Sequence, residues 1–213
     1  MYLKITSRCN MSCAHCGMNC TSIGKDMTPR VYKKAIQFAS NFTDSITLGG
    51  GEPTLHKNFW EILGLSIGSA ENVWLATNGS MTEIALKLAN MARKGIISCA
   101  LSQDDYHDPI DPRVIQAFTK SKNQSSYYEN NTYCSNDCRE IRNVTGNEIK
   151  AGRCEDGEEG CVCESLTIEP DGRIRACGCP DAPYFGDIFH STIPEDWDSY
   201  TCHKKQKIYG EIA

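Results

Sequence analysis

Three cysteines carry the first chemistry of the chain: Cys9, Cys13 and Cys16, read as Cys9-Asn-Met-Ser-Cys13-Ala-His-Cys16. They follow a short apolar stretch (Tyr2, Leu3, Ile5), so they are expected on a loop at the end of a first β-strand. Such a loop can fold three thiolates around one soft inorganic centre, and thiolates suit iron–sulfur clusters and zinc. A structural zinc site usually closes with four ligands. Three thiolates instead leave a coordination position open, and an open position is where chemistry happens. A second stretch, Gly49-Gly50-Gly51-Glu52-Pro53, joins a run of glycines to a carboxylate. The glycines let backbone approach a ligand closely, and Glu52 could accept hydrogen bonds from a ligand amino group. A plain Gly-rich turn would look the same.

The elements that must position these residues show in the periodicity. Thr28-Pro29 reads as an N-cap and first helical position, with Tyr32, Ala35, Ile36 and Ala39 following at helical spacing. Residues 45–48 form a strand running into the glycines, and a second helix carries Phe59, Ile62 and Leu63. Residues 73–76 form a strand ending in Thr77-Asn78-Gly79. A third helix presents Ile84, Leu88 and Met91 and closes on Gly95. Residues 96–101 form a fourth strand ending in Ser102-Gln-Asp104-Asp105, and Asp111-Pro112 opens a fourth helix with Val114, Ile115 and Phe118 inward. Four alternations with unbroken apolar strands predict an α/β fold, a parallel sheet covered by helices. The polar and Gly-rich stretches fall just after strands, where α/β barrels place their sites, and a full barrel needs about 250 residues. The expectation is a partial, open (β/α) TIM-like barrel over residues 1–125. A small cysteine-rich domain containing a β-hairpin should follow over residues 126–213, with residues 121–133 open between a fifth strand and a linker.

The chain has 213 residues, 13 cysteines and a net charge of −5. The odd cysteine count and the length argue against a secreted disulfide scaffold. The N-terminal stretch lacks a basic n-region and an apolar h-region, and no run approaches a membrane span. A reducing cytoplasm, with cysteines as metal ligands and no membrane, is the expectation. Basic residues are scattered apart from Lys204, Lys205 and Lys207, read as a solvated end, so nucleic acid is not expected as the main partner.

The Cys-x3-Cys-x2-Cys run, followed one βα unit later by Gly-Gly-Glu-Pro, resembles the signature of the radical S-adenosylmethionine (SAM) enzymes. The resemblance implies that Cys9, Cys13 and Cys16 hold a [4Fe–4S] cluster with one iron free of protein ligands. SAM would chelate that iron, and Gly50, Gly51, Glu52 and Pro53 would hold its methionine amino group. Thr77-Asn78-Gly79 is similar to a Thr-Asn-Gly of many members. Ser102-Gln-Asp104 resembles a Ser-x-Asp that reaches the ribose or carboxylate of the cofactor; both stretches also read as strand-end turns. His15 stands where the family usually has an aromatic packing near adenine. The implied chemistry is one-electron cleavage of SAM to a 5′-deoxyadenosyl radical that abstracts a substrate hydrogen atom. An electron donor is an implied partner, and no catalytic side chain is assigned. His56 and His107 are expected to be structural or solvent-facing, Cys20 has no assigned ligand role, and Cys99 reads as a small buried apolar residue.

Eight cysteines lie between Cys134 and Cys202. Residues 166–168 and 173–175 flank Pro170-Asp171-Gly172, a hairpin signal, with ten residues from Cys161 to Gly172 and four more to Cys177. This resembles the hairpin of the SPASM and twitch extensions, which bind auxiliary iron–sulfur clusters, and Ala151-Gly152-Arg153 resembles a Gly-Arg stretch common before such hairpins. The resemblance implies one auxiliary cluster at Cys161 and Cys177, with partners among Cys154, Cys163, Cys179 and Cys202. Cys134 and Cys138 could join a second site. Zinc is the alternative, since Cys-x-Cys and Cys-x3-Cys pairs serve it equally. The acidic run at residues 155–159 reads as a solvated turn.

The expected function is a radical SAM enzyme acting on a peptide or small molecule, with peptide modification favoured. A glycyl-radical-enzyme activase and a non-catalytic iron–sulfur or zinc module are the alternatives. SAM cleavage separates the module from the enzymes, and need of a large protein partner separates the activase. Because the chain starts directly at the first strand, a ribosomal peptide substrate would be presented by a separate protein.

Overall fold

The first strand, β1 (Tyr2–Thr6), lies inside the sheet, between β2 (Ser45–Gly50) and β6 (Thr167–Ile168). The structure is a computed structural model describing residues 1–120, 137–158, 165–180, 182–190 and 193. Between those two strands in the chain come β3 (Asn72–Thr77), β4 (Ser98–Ser102) and β5 (Arg139–Arg142), followed after β6 by β7 (Arg173–Arg175) and β8 (Tyr184–Asp187). The sheet order is β5-β4-β3-β2-β1-β6-β7-β8. Every pairing from β5 to β6 is parallel, while β6–β7 and β7–β8 are antiparallel. The sheet does not close on itself, as expected for a partial barrel.

The helices α1 (Pro29–Ser40), α2 (Phe59–Ile67), α3 (Thr82–Arg93) and α4 (Pro112–Phe118) fall where the periodicity places them. Thr28 accepts from the Val31 N–H, and Asp111 from the Arg113 N–H, so both Pro-opened helices begin with a side-chain cap. After α3 the chain turns at Gly95, whose φ of +69° a residue with a Cβ adopts only with strain.

Alternate strand residues Leu3 and Ile5, Ile46 and Leu48, Val73 and Leu75, Cys99 and Leu101 share one core with Tyr32, Ile36, Phe59, Leu63, Leu88 and Phe118 from the helices. Ile84, Met91 and Ile115 pack against this core partly buried, and Ala85, Ala89 and Ala92 fill the inner face of α3. Cys99 is fully buried in that core, as its strand position suggested.

The hairpin forms at the predicted place: Thr167 faces Arg175, Ile168 faces Ile174, and Gly172 takes a φ of +90°. Its first strand adds to β1 in parallel, with Tyr2 opposite Thr167 and Leu3 opposite Ile168. Lys4 of β1 reaches Glu169 at 3.5 Å, and Glu169 also receives Arg175 at 3.0 Å. Two strands go unpredicted from the sequence. β5 is a charged four-residue edge strand, and β8 follows a stretch that reads as a plain loop. Residues 121–133 lie outside the described residues.

Candidate active site

The cysteine loop hangs from the end of β1 and is tied off at its base. Cys9 N–H donates to Thr21 O at 2.8 Å, and Ser7 N–H to Lys25 O at 2.8 Å. Thr6 and Arg8 both hold Asp26, the Arg8 Nε at 2.9 Å and the Thr6 hydroxyl at 2.6 Å, so the two legs of the loop stay together. Between the legs, Cys16 N–H bonds Cys13 O at 3.2 Å, and Asn19 N–H bonds Cys16 O at 3.3 Å. Cys9, Cys13 and Cys16 are each half-buried. Burial pushes the Cys13 thiol up to about 11, and it raises Cys9 as well, against the Met11 N–H and the Arg153 guanidinium, which favour the thiolate. Cys16 is pushed down to about 5, chiefly by its bond with the thiol of Cys20. Cys20, which sequence reasoning left without a role, is thus a buried neighbour of the loop sulfur.

The Gly-rich stretch leaves β2 and docks on the same leg. Gly51 N–H donates to Thr6 O at 3.0 Å, and Glu52 N–H to Arg8 O at 2.8 Å. A Cβ on Gly50, whose φ is +135°, would lie 1.8 Å from Thr6 O, and one on Gly51 would lie 2.1 Å from Arg8 O. The glycines therefore serve the contact between two loops as well as any contact with a ligand. Pro53 starts a short 3-10 turn (Pro53–Leu55).

Glu52 is buried, with 1 % exposure, and its carboxylate is held by the chain itself. Oε1 accepts from the Thr54 N–H at 3.1 Å, the Thr54 hydroxyl at 2.6 Å and the Thr77 hydroxyl at 2.9 Å. Oε2 accepts from the Asn78 N–H at 2.6 Å. Burial raises the Glu52 pKa, and the four donors work against that. Oε2 takes this single donor, and a carboxylate oxygen has two lone pairs to accept with, so it retains capacity for one more.

The ends of β3 and β4 complete the wall. Asn78 donates from Nδ2 to Asn10 Oδ1 at 3.1 Å, linking the β3 loop to the cysteine loop. Asp104 is buried and accepts from the Tyr106 N–H at 3.1 Å, and its Oδ1 lies 2.6 Å from His107 Nδ1. Burial alone would raise the Asp104 carboxyl, but the bond and charge of His107 outweigh it and hold the pKa below the ordinary carboxylate range. His15 lies with its ring 4.6 Å from that of Tyr106 and 5.3 Å from that of His107, and its Nε2 is 3.7 Å from Asp104 Oδ2. His15 Nδ1 is buried with no hydrogen-bond partner among the described residues. His107 thus belongs to the cavity wall, a place sequence reasoning did not give it. His56 is structural: its Nε2 lies 2.9 Å from Met27 O and its Nδ1 accepts from the Asn58 N–H.

These parts surround one cavity of about 140 Å³, lined by Cys9, Cys13, Cys16, His15, Gly50, Gly51, Glu52, Asn78, Ser102, His107, Arg153 and their neighbours. Pro53 and Asp104 are buried next to lining residues, Pro53 beside Glu52 in the chain and Asp104 bonded to His107. The predicted first-half residues therefore converge at the carboxyl ends of four parallel strands. The second half reaches the cavity through Arg153. Cys154, Cys177 and Cys179 are buried, the last two in a small cluster with Ala176 and Ala182. Cys134, Cys161, Cys163 and Cys202 lie outside the described residues.

Three thiols and a buried carboxylate thus line one cavity at the open end of a partial barrel. The model of the Radical SAM superfamily matches residues 3–130, more than half of the chain, and the chain belongs to that superfamily. Among curated proteins it is 31% identical over 114 residues to a probable GTP 3′,8-cyclase of Methanosarcina acetivorans, covering 49% of this chain and 34% of that protein. It is 32% identical over 96 residues to the mycofactocin maturase MftC of Mycolicibacterium smegmatis, covering 40% of this chain and 23% of that protein. The matches thus span about a third or less of those relatives. Among solved structures, BtrN in complex with AdoMet and 2-DOIA superposes with a TM-score of 0.64 at 16% identity, over 99% of this chain and 85% of that one. Native anSMEcpe with bound AdoMet gives a TM-score of 0.56 at 17% identity, over 97% of this chain and 81% of that one. At such identities the likeness is one of fold.

Membership implies SAM and a [4Fe–4S] cluster. The residues present fit both: three cysteine sulfurs for the cluster and, on Glu52 at the wall of the same cavity, a spare acceptor position. No helix among the described residues is long and apolar enough to cross a membrane.

Proposed function

We propose that Cys9, Cys13 and Cys16 hold the cluster, that the adjoining cavity holds SAM, and that the enzyme abstracts a hydrogen atom from a peptide or small-molecule substrate. The supporting observation is the convergence of the three thiols, Gly50–Glu52 and the ends of β3 and β4 on one cavity. When bound, cluster and cofactor together supply a 5′-deoxyadenosyl radical, and the protein's part is binding, orientation and exclusion of competing reactions. Glu52 Oε2 is the acceptor for the cofactor ammonium, while the donors from Thr54, Thr77 and Asn78 keep the carboxylate in place. Ser102 and Asn78 face the same cavity as polar contacts for the cofactor, and the His15 ring forms the wall beside Tyr106.

Peptide modification is the favoured form of this reaction, and the likeness to a maturase, MftC, is in keeping with it. The likeness to probable GTP 3′,8-cyclases favours a small-molecule substrate as the second form. The cysteine-rich part, from about residue 126, is inferred to be a second domain holding an auxiliary iron–sulfur centre, or zinc, through ligands among Cys154, Cys161, Cys163, Cys177, Cys179 and Cys202. An external electron donor completes the system.

The test is iron and acid-labile sulfide per chain after anaerobic reconstitution, for the parent and a Cys9/Cys13/Cys16→Ala variant, with 5′-deoxyadenosine formed from SAM under a chemical reductant. About eight irons falling to about four is expected from two four-iron centres, with 5′-deoxyadenosine lost in the variant. Equal iron in both proteins, with no 5′-deoxyadenosine from either, would overturn the assignment.

A further inference from the structure

Residues 151–154 form a clasp on the cysteine loop from the far side of the chain. Arg153 N–H donates to Cys16 O at 3.0 Å. The Arg153 side chain gives two bonds to one carbonyl, Nε to Cys13 O at 3.3 Å and Nη2 to Cys13 O at 3.2 Å, across 140 residues of sequence. Its third nitrogen, Nη1, donates to Cys20 O. The chain can come this close because residue 152 is glycine: its φ is +58°, and a Cβ there would lie 2.5 Å from Cys16 O and 2.6 Å from Gly17 O. A planar fork bound to fixed acceptors holds geometry better than a flexible ammonium does, and bonds from a charged donor are stronger than neutral ones.

We propose that Arg153 is a positioning residue for the metal centre: it locks the carbonyls of Cys13 and Cys20 so that the thiols keep a receptive arrangement, and it places one fixed positive charge beside them. The two effects are separable. The fork fixes the shape of the loop before any metal is present. The charge, at the wall of the same cavity as Cys9, Cys13 and Cys16, stabilises the more negative reduced form of the centre and makes it easier to reduce. The second effect rests on the proposed cluster; the first does not.

The experiment compares the parent with Arg153→Gln, Arg153→Lys and Gly152→Ala, with the exposed Arg113→Gln as control. In metal-free protein, amide hydrogen exchange of residues 13–21 should quicken roughly tenfold in Arg153→Gln and in Gly152→Ala, the order expected from losing charge-assisted bonds. After anaerobic reconstitution, loss of iron to a chelator should quicken in the same two variants. The midpoint potential of the centre, followed by electron paramagnetic resonance, should fall in Arg153→Gln and recover in Arg153→Lys, which restores charge without the fork. Unchanged loop exchange in both Arg153→Gln and Gly152→Ala would overturn the positioning role, whatever the metal content. A parent potential retained in Arg153→Gln would overturn the charge effect. A parent that binds no iron through Cys9, Cys13 and Cys16 would sink the cluster assignment and the charge effect with it, and the exchange result would still decide the first. Gly152→Ala keeps the charge and displaces the clasp, so it also distinguishes a lost contact from general misfolding of Arg153→Gln.

Discussion

The backbone N–H of Asn78 donates to Oε2 of Glu52 at 2.6 Å, joining the loops after β3 and β2. With the Thr77 hydroxyl on Oε1 at 2.9 Å, this makes Glu52 a tie between neighbouring strand ends. The carboxylate that faces the cavity is therefore also a support for its wall.

Glu52→Gln should lower stability by about 2 kcal/mol, because the amide turns donor hydrogens toward one group of donors and leaves a buried N–H unsatisfied. Urea unfolding of the metal-free protein checks this. A residue serving only a ligand would leave the midpoint unchanged.

Gly50→Ala should cost about 3 kcal/mol, since its Cβ would lie 1.8 Å from Thr6 O at a φ of +135°. Gly64→Ala is the opposite case. It lies on α2 with nothing within 4 Å of an added Cβ, and alanine there should stabilise by about 1 kcal/mol. Thermal melts of the two variants should move in opposite directions.

Acid should weaken the base of the cysteine loop through Asp26. Burial raises its carboxyl, but the bonds from Arg8 and Thr6 outweigh that and hold the folded pKa below the ordinary value. A depressed carboxylate contributes stability above its unfolded pKa and loses it as pH falls through the folded one. Asp26→Asn should therefore be less stable than the parent near neutrality, and the gap should close as pH falls from about 6 to about 3. Urea midpoints across that range measure it, and a constant gap would contradict the assignment.

Cys99→Ser should cost about 2 kcal/mol, the price of a hydroxyl in an apolar core without a partner, while leaving iron content unchanged. A loss of iron would instead make Cys99 a ligand.

Much of this arrangement was legible in the sequence. The four βα alternations, the Pro-opened helices with their caps, and the hairpin at Gly172 each rest on local rules, so local pattern sufficed. The site followed because Cys9, Gly50, Asn78 and Ser102 all stand at or just beyond the ends of apolar strands. What stayed hidden is long-range or weakly patterned. Arg139–Arg142 has no apolar alternation because it pairs at an edge, and its place in the sheet comes from β4 alone. The parallel addition of β6 to β1 depends on two residue pairs far apart in the chain, which periodicity does not encode. His107 gave no signal of its own, since its place in the wall comes from a bond to Asp104. Arg153 carried a signal in Gly152-Arg153, but its partners are backbone carbonyls, which have no sequence signature.

On the ribosome, the strand that carries the cysteine loop emerges well before the loop's arginine clasp and its neighbour β6. Contacts of such sequence separation form late. During synthesis the three thiols are therefore presented on an unfinished loop, open to oxidation and to adventitious metals. The loop takes its final form only when residue 153 has closed it from behind.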